Sequence, residues 1–80
     1  MKSNGYFVNC KHFKKNSNGD DCYIINYILI NSDGSVDCFM SFVDEKVYNK
    51  VVSLKYKPLR PTTFVFGVGQ NLKAKLIDVE

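Results

Sequence analysis

The residues best suited to chemistry in this chain are aromatic and cationic side chains. Aromatics make up 14% of the 80 residues, and all of them are Tyr or Phe. A nucleobase gains roughly 1–3 kcal/mol by stacking on an exposed ring, whatever the base, and each phosphate attracts Lys or Arg. The pattern predicts a surface for single-stranded nucleic acid on the outer face of the first three strand-like runs. Its candidate residues are Lys11, Phe13, Lys14, Lys15, Tyr23, Tyr27 and Phe39, joined by Lys73 and Lys75 from the last run.

Each candidate also has a purely structural interpretation. Tyr23 and Tyr27 fit equally well in the core of a small barrel, with their hydroxyls at the rim. Phe13 fits as a cover over a barrel end, and lysines in a loop need no function to explain them. Phe39 is the strongest candidate for exposed stacking, because small polar residues flank it.

The inventory for catalysis and metal binding is poor. His12 has neighbouring lysines but no carboxylate or nucleophile partner in the sequence pattern. The cysteines Cys10, Cys22 and Cys38 are odd in number, lack metal-ligand spacing and lie within apolar runs, which favours buried free thiols in a reducing cytosol. We therefore predict that the chain is not an enzyme and uses no metal or cofactor.

Bulk properties indicate one small domain over residues 1–80. The formal net charge is +3, from eleven Lys and Arg against eight Asp and Glu, which is compatible with a polyanionic partner without requiring one. The first residues lack the apolar segment of a signal peptide. The longest apolar stretch, Cys22–Ile30, contains Asn26 and is too short to cross a bilayer. We expect a cytoplasmic protein without a membrane partner.

The order of elements carries the fold prediction. Three strand-like runs precede one helix-like run, and two more strand-like runs follow: Gly5–Lys15, Cys22–Asn31, Ser35–Val43, then Asp44–Tyr56, then Thr62–Gly69 and Leu72–Val79. This layout, β1-β2-β3-α-β4-β5, predicts a mainly β protein, specifically a five-stranded OB-fold barrel with one short helix between strands three and four. Such barrels bind oligonucleotides and oligosaccharides.

Alternation along the strands predicts which side chains face the core. In the first run, Val8 and Cys10 are expected to point inward, with Asn9, Lys11 and Phe13 outward. The second run is apolar on both faces, so its facing stays open, and a bulge could switch the faces midway. In the third run, one apolar face is formed by Val36, Cys38, Met40 and Phe42, and Phe39 lies on the wetter face with Asp37 and Ser41.

The helix-like run and the last strand have clear patterns. Asp44 fits an N-cap, and Val47, Val51 and Leu54 recur at helical spacing, which predicts an apolar stripe that closes the bottom of the barrel. In the last run Leu72, Ala74 and Leu76 alternate with Lys73 and Lys75, so that one side is apolar and the other cationic.

The segment from Phe39 to Glu80 resembles the second half of small single-stranded-DNA-binding proteins of phages and plasmids. The shared features are a strand that runs into an acidic helix start, a lysine-bearing helix and two final strands with the ending Leu76-Ile77-Asp78-Val79. The resemblance implies non-specific binding of single strands in replication or transfer of a mobile element, by a dimer or higher oligomer. The chain lacks the acidic tail of the larger bacterial relatives, so we expect no partner recruitment through such a tail.

Two other functions stay open at this point. The same exposed aromatics would suit a protein-interaction or assembly module on an OB fold. An RNA-binding OB domain is the second alternative, since the sequence shows no feature reserved for the 2′-hydroxyl.

Overall fold

Five strands and one short helix follow one another in the predicted order. The computed structural model describes residues 1–68 and 74–80. The elements are β1 (Lys2–Lys14), β2 (Asp21–Ile30), β3 (Val36–Val43), α1 (Glu45–Ser53), β4 (Arg60–Val68) and β5 (Ala74–Val79). The prediction of a mainly β fold with one helix between the third and fourth strands is confirmed.

The strands form one antiparallel sheet with the spatial order β3-β2-β1-β4-β5. The sheet curls strongly into a half-barrel, so that its two edge strands, β3 and β5, come close to each other. At that point Lys75 Nζ lies 3.6 Å from Asp44 Oδ1, just beyond the end of β3. The curl gives the sheet a concave face, which holds the core, and a convex face.

The core fills the concave face. Its most deeply buried side chains come from β2, β4, β5 and α1, and they are Ile25, Val51, Phe64, Leu76 and Val79. Each apolar side chain of this size contributes about 1.5–3 kcal/mol when fully buried. The core therefore holds the curl, because flattening the sheet would expose these residues to water.

The helix begins where predicted and ends earlier. Asp44 holds the N-cap position, where its carbonyl accepts hydrogen bonds from the N–H groups of Val47 and Tyr48, but its side chain does not cap. At the other end Lys55 adopts a positive φ of 54°, and the Tyr56 N–H donates to the Val51 carbonyl at 3.1 Å, which is a Schellman ending.

This early ending corrects one part of the predicted apolar stripe. Val47 and Val51 are buried as predicted, whereas Leu54 is exposed because the left-handed turn at Lys55 carries the chain away from the core. In the described part of the chain, no helix is long and apolar enough to cross a membrane.

A β-bulge in β1 corrects the prediction for Val8. Phe7 is opposite Tyr27 and Asn9 is opposite Asn26, which leaves Val8 as an extra residue in the strand. Phe7 is therefore the core residue, and Val8 is only half-buried. Beyond the bulge the prediction is confirmed: Cys10 packs against the core, and Asn9, Lys11 and Phe13 are exposed.

The predicted facing of β3 is inverted in the structure. Pairing with β2 puts Phe39 opposite Tyr27 and Val43 opposite Tyr23, both on the concave face. The apolar residues predicted to form an inward face lie on the convex face and are exposed: Val36, Cys38, Met40 and Phe42. The reason is that β3 is an edge strand. Its facing follows its register with β2 and not its own hydrophobic pattern.

The last strand follows its predicted alternation only at Lys75 and Leu76. Lys75 is exposed and Leu76 is buried, as predicted, but Val79 is also buried because Ile77 is an extra residue opposite β4. Ala74, predicted on the apolar side, is exposed. Leu72 and Lys73, whose alternation was also predicted, lie outside the described residues.

The three cysteines are free, as predicted, but they are not all buried. Cys22 is buried, and Cys10 is half-buried, where burial raises the pKa of its thiol. Cys38 is exposed on the convex face of β3, so the prediction of a buried thiol is wrong for this residue. The correction follows from the inverted facing of β3.

Gly5 is the position of β1 that tolerates no side chain. It pairs with Leu29 on one side and Thr62 on the other, and a Cβ there would collide with the main-chain carbonyl of Ile28. We expect Gly5→Ala to lower the free energy of unfolding by about 1–3 kcal/mol, because backbone must move to make room. Urea denaturation measures this, with the exposed neighbour Asn4→Ala as control. Equal stability of the two variants would contradict the close approach.

Asp78 makes stability depend on pH. Its carboxylate accepts a hydrogen bond from Lys50 Nζ at 2.9 Å and one from the Val79 N–H, and the hydrogen bond from Lys50 lowers the pKa of Asp78 despite partial burial. Because the folded-state pKa is depressed, this contribution is complete above the unfolded-state pKa and disappears as pH falls through the folded-state value.

We therefore expect Asp78→Asn to be less stable than the parent chain at pH 7 and to lose less stability on acidification below about pH 4. Chemical denaturation at pH 7, 5, 4 and 3 measures the difference. Asp20→Asn is the control, since this exposed carboxylate forms no ion pair with the described residues. A parallel acid dependence in the Asp78 variant and the parent would show that the Lys50 contact contributes nothing.

Candidate nucleic-acid interface

The convex face of β1, β2 and β3 is built around a row of three side chains. Ile24 of β2 lies opposite Lys11 of β1 on one side and Phe42 of β3 on the other. Residues in register share a face of the sheet, so these side chains are neighbours. Phe42 is 56% exposed, while Ile24 beneath its neighbours is buried. The row thus exposes an aromatic ring and a cation to solvent, on either side of the buried apolar side chain of Ile24.

A second aromatic ring lies on the same face near the β1–β2 turn. Phe13 is 43% exposed and is opposite Cys22, which is buried. Phe13 and Phe42 come from strands separated by β2, which places their backbones roughly 10 Å apart across the sheet. The two rings can therefore contact different parts of one extended ligand.

Two amides lie beside this row. Asn26 Nδ2 donates a hydrogen bond of 2.6 Å to Asn9 Oδ1, and Met40 is opposite Asn26 on β3. An Asn side chain has two donors and one carbonyl acceptor. The two side chains keep hydrogen-bond donors and acceptors that their mutual bond does not use, and a polar group of a ligand can bind to them.

The face continues into a shallow hollow of about 470 Å³. The residue after the helix connection, Leu59, borders it, with its N–H donating to the Phe7 carbonyl at 2.6 Å. The rest of the convex lining comes from the bulge and from β2 and β3, namely Val8, Asn26, Ile28, Cys38 and Met40. The hollow extends the apolar surface of the convex face beyond Phe42.

The charge on this face is positive. Lys11 projects from it. Lys14, at the end of β1, is opposite Asp21, and Lys15 lies in the adjoining β1–β2 turn together with Asp20; all of these side chains are exposed. Asp21 is turned to the other face, where its Oδ1 lies 3.0 Å from His12 Nε2. Within the described residues, none of the three lysines forms an ion pair. All three charges are available to an anion.

The structure divides the predicted site between the two faces. Lys11 and Phe13 share the convex face, but Tyr27 and Phe39 lie on the concave face. Tyr27 is only 3% exposed, its ring centroid lies 4.6 Å from that of Phe64, and its hydroxyl lies 2.6 Å from Ser41 Oγ. Phe39 stacks on Tyr27 at 5.8 Å. Tyr27 is thus a core residue, which is the interpretation that the sequence left open.

Tyr23 lies on the concave face near the start of α1. Its ring stacks on His12 at 4.6 Å and contacts Tyr48 at 5.0 Å. Desolvation and the nearby carboxylates of Glu45 and Asp21 raise the pKa of its hydroxyl. Both flanking rings are the protein's own, so Tyr23 is already stacked and contributes no ring to the convex face.

The two remaining predicted residues are in or near β5. Lys75 is exposed on β5, across the gap between the two edge strands from β3, and it approaches Asp44. Lys73 lies outside the described residues. Lys75 therefore does not lie on the convex face with Lys11 and Phe13.

Sequence reasoning missed Phe42 and Met40 as surface residues. A signal existed in the hairpin: Asp33-Gly34 turns the chain, and the Asn31 N–H donates to the Ser35 carbonyl, which fixes Ile30 opposite Val36. This register ties the facing of Phe39 to that of Tyr27. Assigning Tyr27 to the core would have turned Phe42 outward.

Comparison of the chain with protein families, with curated proteins and with solved structures finds no match in any of the three. Among residues 1–68 and 74–80, no three His, Cys, Asp or Glu side chains lie close enough together to hold a metal ion. A function must therefore be inferred from the arrangement of the side chains described above.

The division between the faces predicts that two aromatic truncations lower stability by very different amounts. Tyr27→Ala should lower the free energy of unfolding by about 3–5 kcal/mol, as is typical for a buried aromatic. Phe42→Ala should lower it by about 1 kcal/mol or less, because much of the ring is already in water. Urea denaturation of both variants measures this. A larger loss for Phe42→Ala than for Tyr27→Ala would reverse the assignment of the faces.

Proposed function

We propose that the chain is an OB-fold domain that binds single-stranded DNA without sequence specificity on its convex face. The order β3-β2-β1-β4-β5, with the helix between the third and fourth strands and the two edge strands approaching each other, supports an OB barrel with an open seam. In that fold the face of strands two and three binds oligonucleotides. The convex face described above is the corresponding surface.

The observation that carries the proposal is the pair of exposed rings, Phe13 and Phe42, on a face that also presents Lys11. A single strand exposes the flat faces of its bases, and each base that stacks on an aromatic ring contributes roughly 1–3 kcal/mol. A duplex buries those faces in its own stack. The arrangement therefore favours single strands over duplexes.

The lysines supply the part of the affinity that depends on salt. Each phosphate neutralised on a single strand releases counterions and contributes about −0.7 to the slope of log affinity against log salt. Contacts from Lys11, Lys14 and Lys15 would together give a slope of about −2. This electrostatic contribution is independent of sequence, as a coating protein in replication or transfer of a mobile element requires.

Fluorescence anisotropy with a labelled oligo-dT tests the proposal. We expect Phe13→Ala and Phe42→Ala each to weaken binding by about 1–3 kcal/mol while both proteins stay folded. Phe39→Ala is a closely matched control, because Phe39 is 44% exposed, almost as exposed as Phe13, but on the opposite face. It should leave affinity nearly unchanged. Loss of binding in the Phe39 variant alone would place the ligand on the concave face, next to Phe39.

Replacing Lys14 and Lys15 together with Ala should reduce the salt slope from about −2 to about −0.7, because Lys11 alone remains. A titration between 50 and 300 mM NaCl measures the slope, and the exposed Lys2→Ala, on the half of β1 that pairs with β4, is the control. Competition by equal lengths of RNA and duplex DNA then identifies the preferred strand. The proposal fails if oligo-dT does not bind at low salt, and stronger competition by RNA would replace DNA with RNA as the ligand.

A further inference from the structure

Cations are unevenly distributed along this chain. Seven Lys and Arg residues and no acid occur between Lys46 and Ile77, so all eight Asp and Glu residues lie outside that range. Lys50 pairs with Asp78. Four other cations between the start of α1 and the start of β4 form no ion pair with the described residues, and they are Lys46, Lys55, Lys57 and Arg60. This positive charge is separate from the lysines of β1 and its turn.

The connection between α1 and β4 ends in a tight turn with a strained residue. The Arg60 N–H donates to the Lys57 carbonyl at 3.2 Å across Pro58 and Leu59, and Leu59 adopts a positive φ of 65°. Proline followed by a residue of positive φ is the pattern of a type II turn, in which glycine normally takes the second place. Leucine is strained there, and its side chain borders the hollow of the convex face. The 57–60 turn holds the Cα atoms of Lys57 and Arg60 less than about 7 Å apart, next to the hollow.

Arg60 is the only arginine of the chain, and an aromatic ring orients it. Its guanidinium carbon lies 4.0 Å from the centroid of the Tyr56 ring, and that ring meets Phe7 edge-on at 5.5 Å. The stacked face of Tyr56 is thereby closed to a nucleobase. The N–H groups of the guanidinium point outward in its own plane, and stacking leaves them free to donate. A planar set of donors held in one orientation is suited to two oxygens of a phosphate.

We propose that the 57–60 turn binds a phosphate of the same nucleic-acid strand whose bases lie on the convex face, with Arg60 as a bidentate donor and Lys57 as a second positive charge. The inference rests on the proposed function. Leu59 borders the hollow and directly precedes Arg60, so a strand that leaves the hollow at Leu59 meets the guanidinium next. Every residue of this site is in the described part of the chain, and β4 runs roughly 25 Å from Arg60 before it ends at Val68.

An NMR titration of the parent protein tests the site without any variant. Because the chain has one arginine, the side-chain Nε–H resonance of Arg60 is the only signal of its kind. We expect it to shift when an oligo-dT of about 16 nucleotides is added, the upper end of the range that one OB fold covers. The backbone amide resonances of Lys11 and Asn26 should shift in the same titration, since both residues lie on the convex face.

The outcomes separate this inference from the proposed function. If the amides of Lys11 and Asn26 shift and the Arg60 signal does not, the strand binds the convex face without the turn, and this inference fails alone. If no resonance shifts, the proposed function fails and the inference with it. A parallel titration uses inorganic pyrophosphate at constant ionic strength. An Arg60 signal that responds to pyrophosphate and not to oligo-dT would assign the turn to a small phosphate compound and overturn its contact with a strand.

Substitutions of Arg60 separate its donor geometry from its charge. Lysine keeps the positive charge but has no planar set of donors. We expect Arg60→Lys to weaken binding of the 16-nucleotide oligo-dT about three- to tenfold with little change in the salt slope. Arg60→Ala should weaken it about tenfold or more. Lys11, Lys14 and Lys15 account for a slope of about −2, a strand that also reaches the turn adds about −0.7, and Arg60→Ala should remove that addition.

Lys46→Ala is the matched control, because this cation of the same stretch borders a different cavity, beside Asp78. It should leave affinity and slope nearly unchanged. Equal affinity of Arg60→Lys and the parent would overturn the bidentate contact, and equal losses in Arg60→Ala and Lys46→Ala would show a general effect of charge in place of a site. The amide spectrum of each variant verifies its fold, and the titration of the parent protein decides the matter if a variant does not fold.

Discussion

The burial of Tyr27 is the constraint on which the two faces of this small sheet depend. Its ring packs on Phe64 from β4 and on Phe39 from β3, so one side chain links three strands of the half-barrel. Side chains alternate across a strand, and cross-strand partners share a face. With Tyr27 in the core, the facing of the neighbouring residues on β2 and β3 is decided, and Phe42 must point to solvent.

The sequence predicts the elements of this fold well and their orientation less well. Turn residues such as Asp33-Gly34 and the helical spacing of Val47 and Val51 are local signals. The order of strands and helix along the chain is therefore predictable from the sequence. Facing in β2 and β3 was not, because both sides of these strands are apolar and an edge strand takes its facing from its partner.

The candidate site is likewise predicted well where a strand has a clear alternation and less well where its facing depends on a partner strand. Lys11 and Phe13 are correctly placed outside because β1 has a clear alternation beyond its bulge. Phe39 and Phe42 are separated by three positions along one strand and therefore lie on opposite faces. The choice between them required the register with Tyr27, which composition and spacing do not contain. The aromatic composition thus predicts exposed rings without indicating which rings are exposed.

The bulge at Val8 has a consequence for how this surface tolerates insertions and deletions. Between Gly5 and Lys14, Val8 is the one residue of β1 without a counterpart in β2, so its removal would restore a regular ladder. Asn9 would then follow Phe7 directly and stay opposite Asn26, so the pairing beyond it would be unchanged and Lys11 and Phe13 would remain on the convex face. Deletion of this one aliphatic residue would thus preserve the two faces, whereas deletion of a residue between Asn9 and Lys14 would exchange the two sides of the strand beyond it.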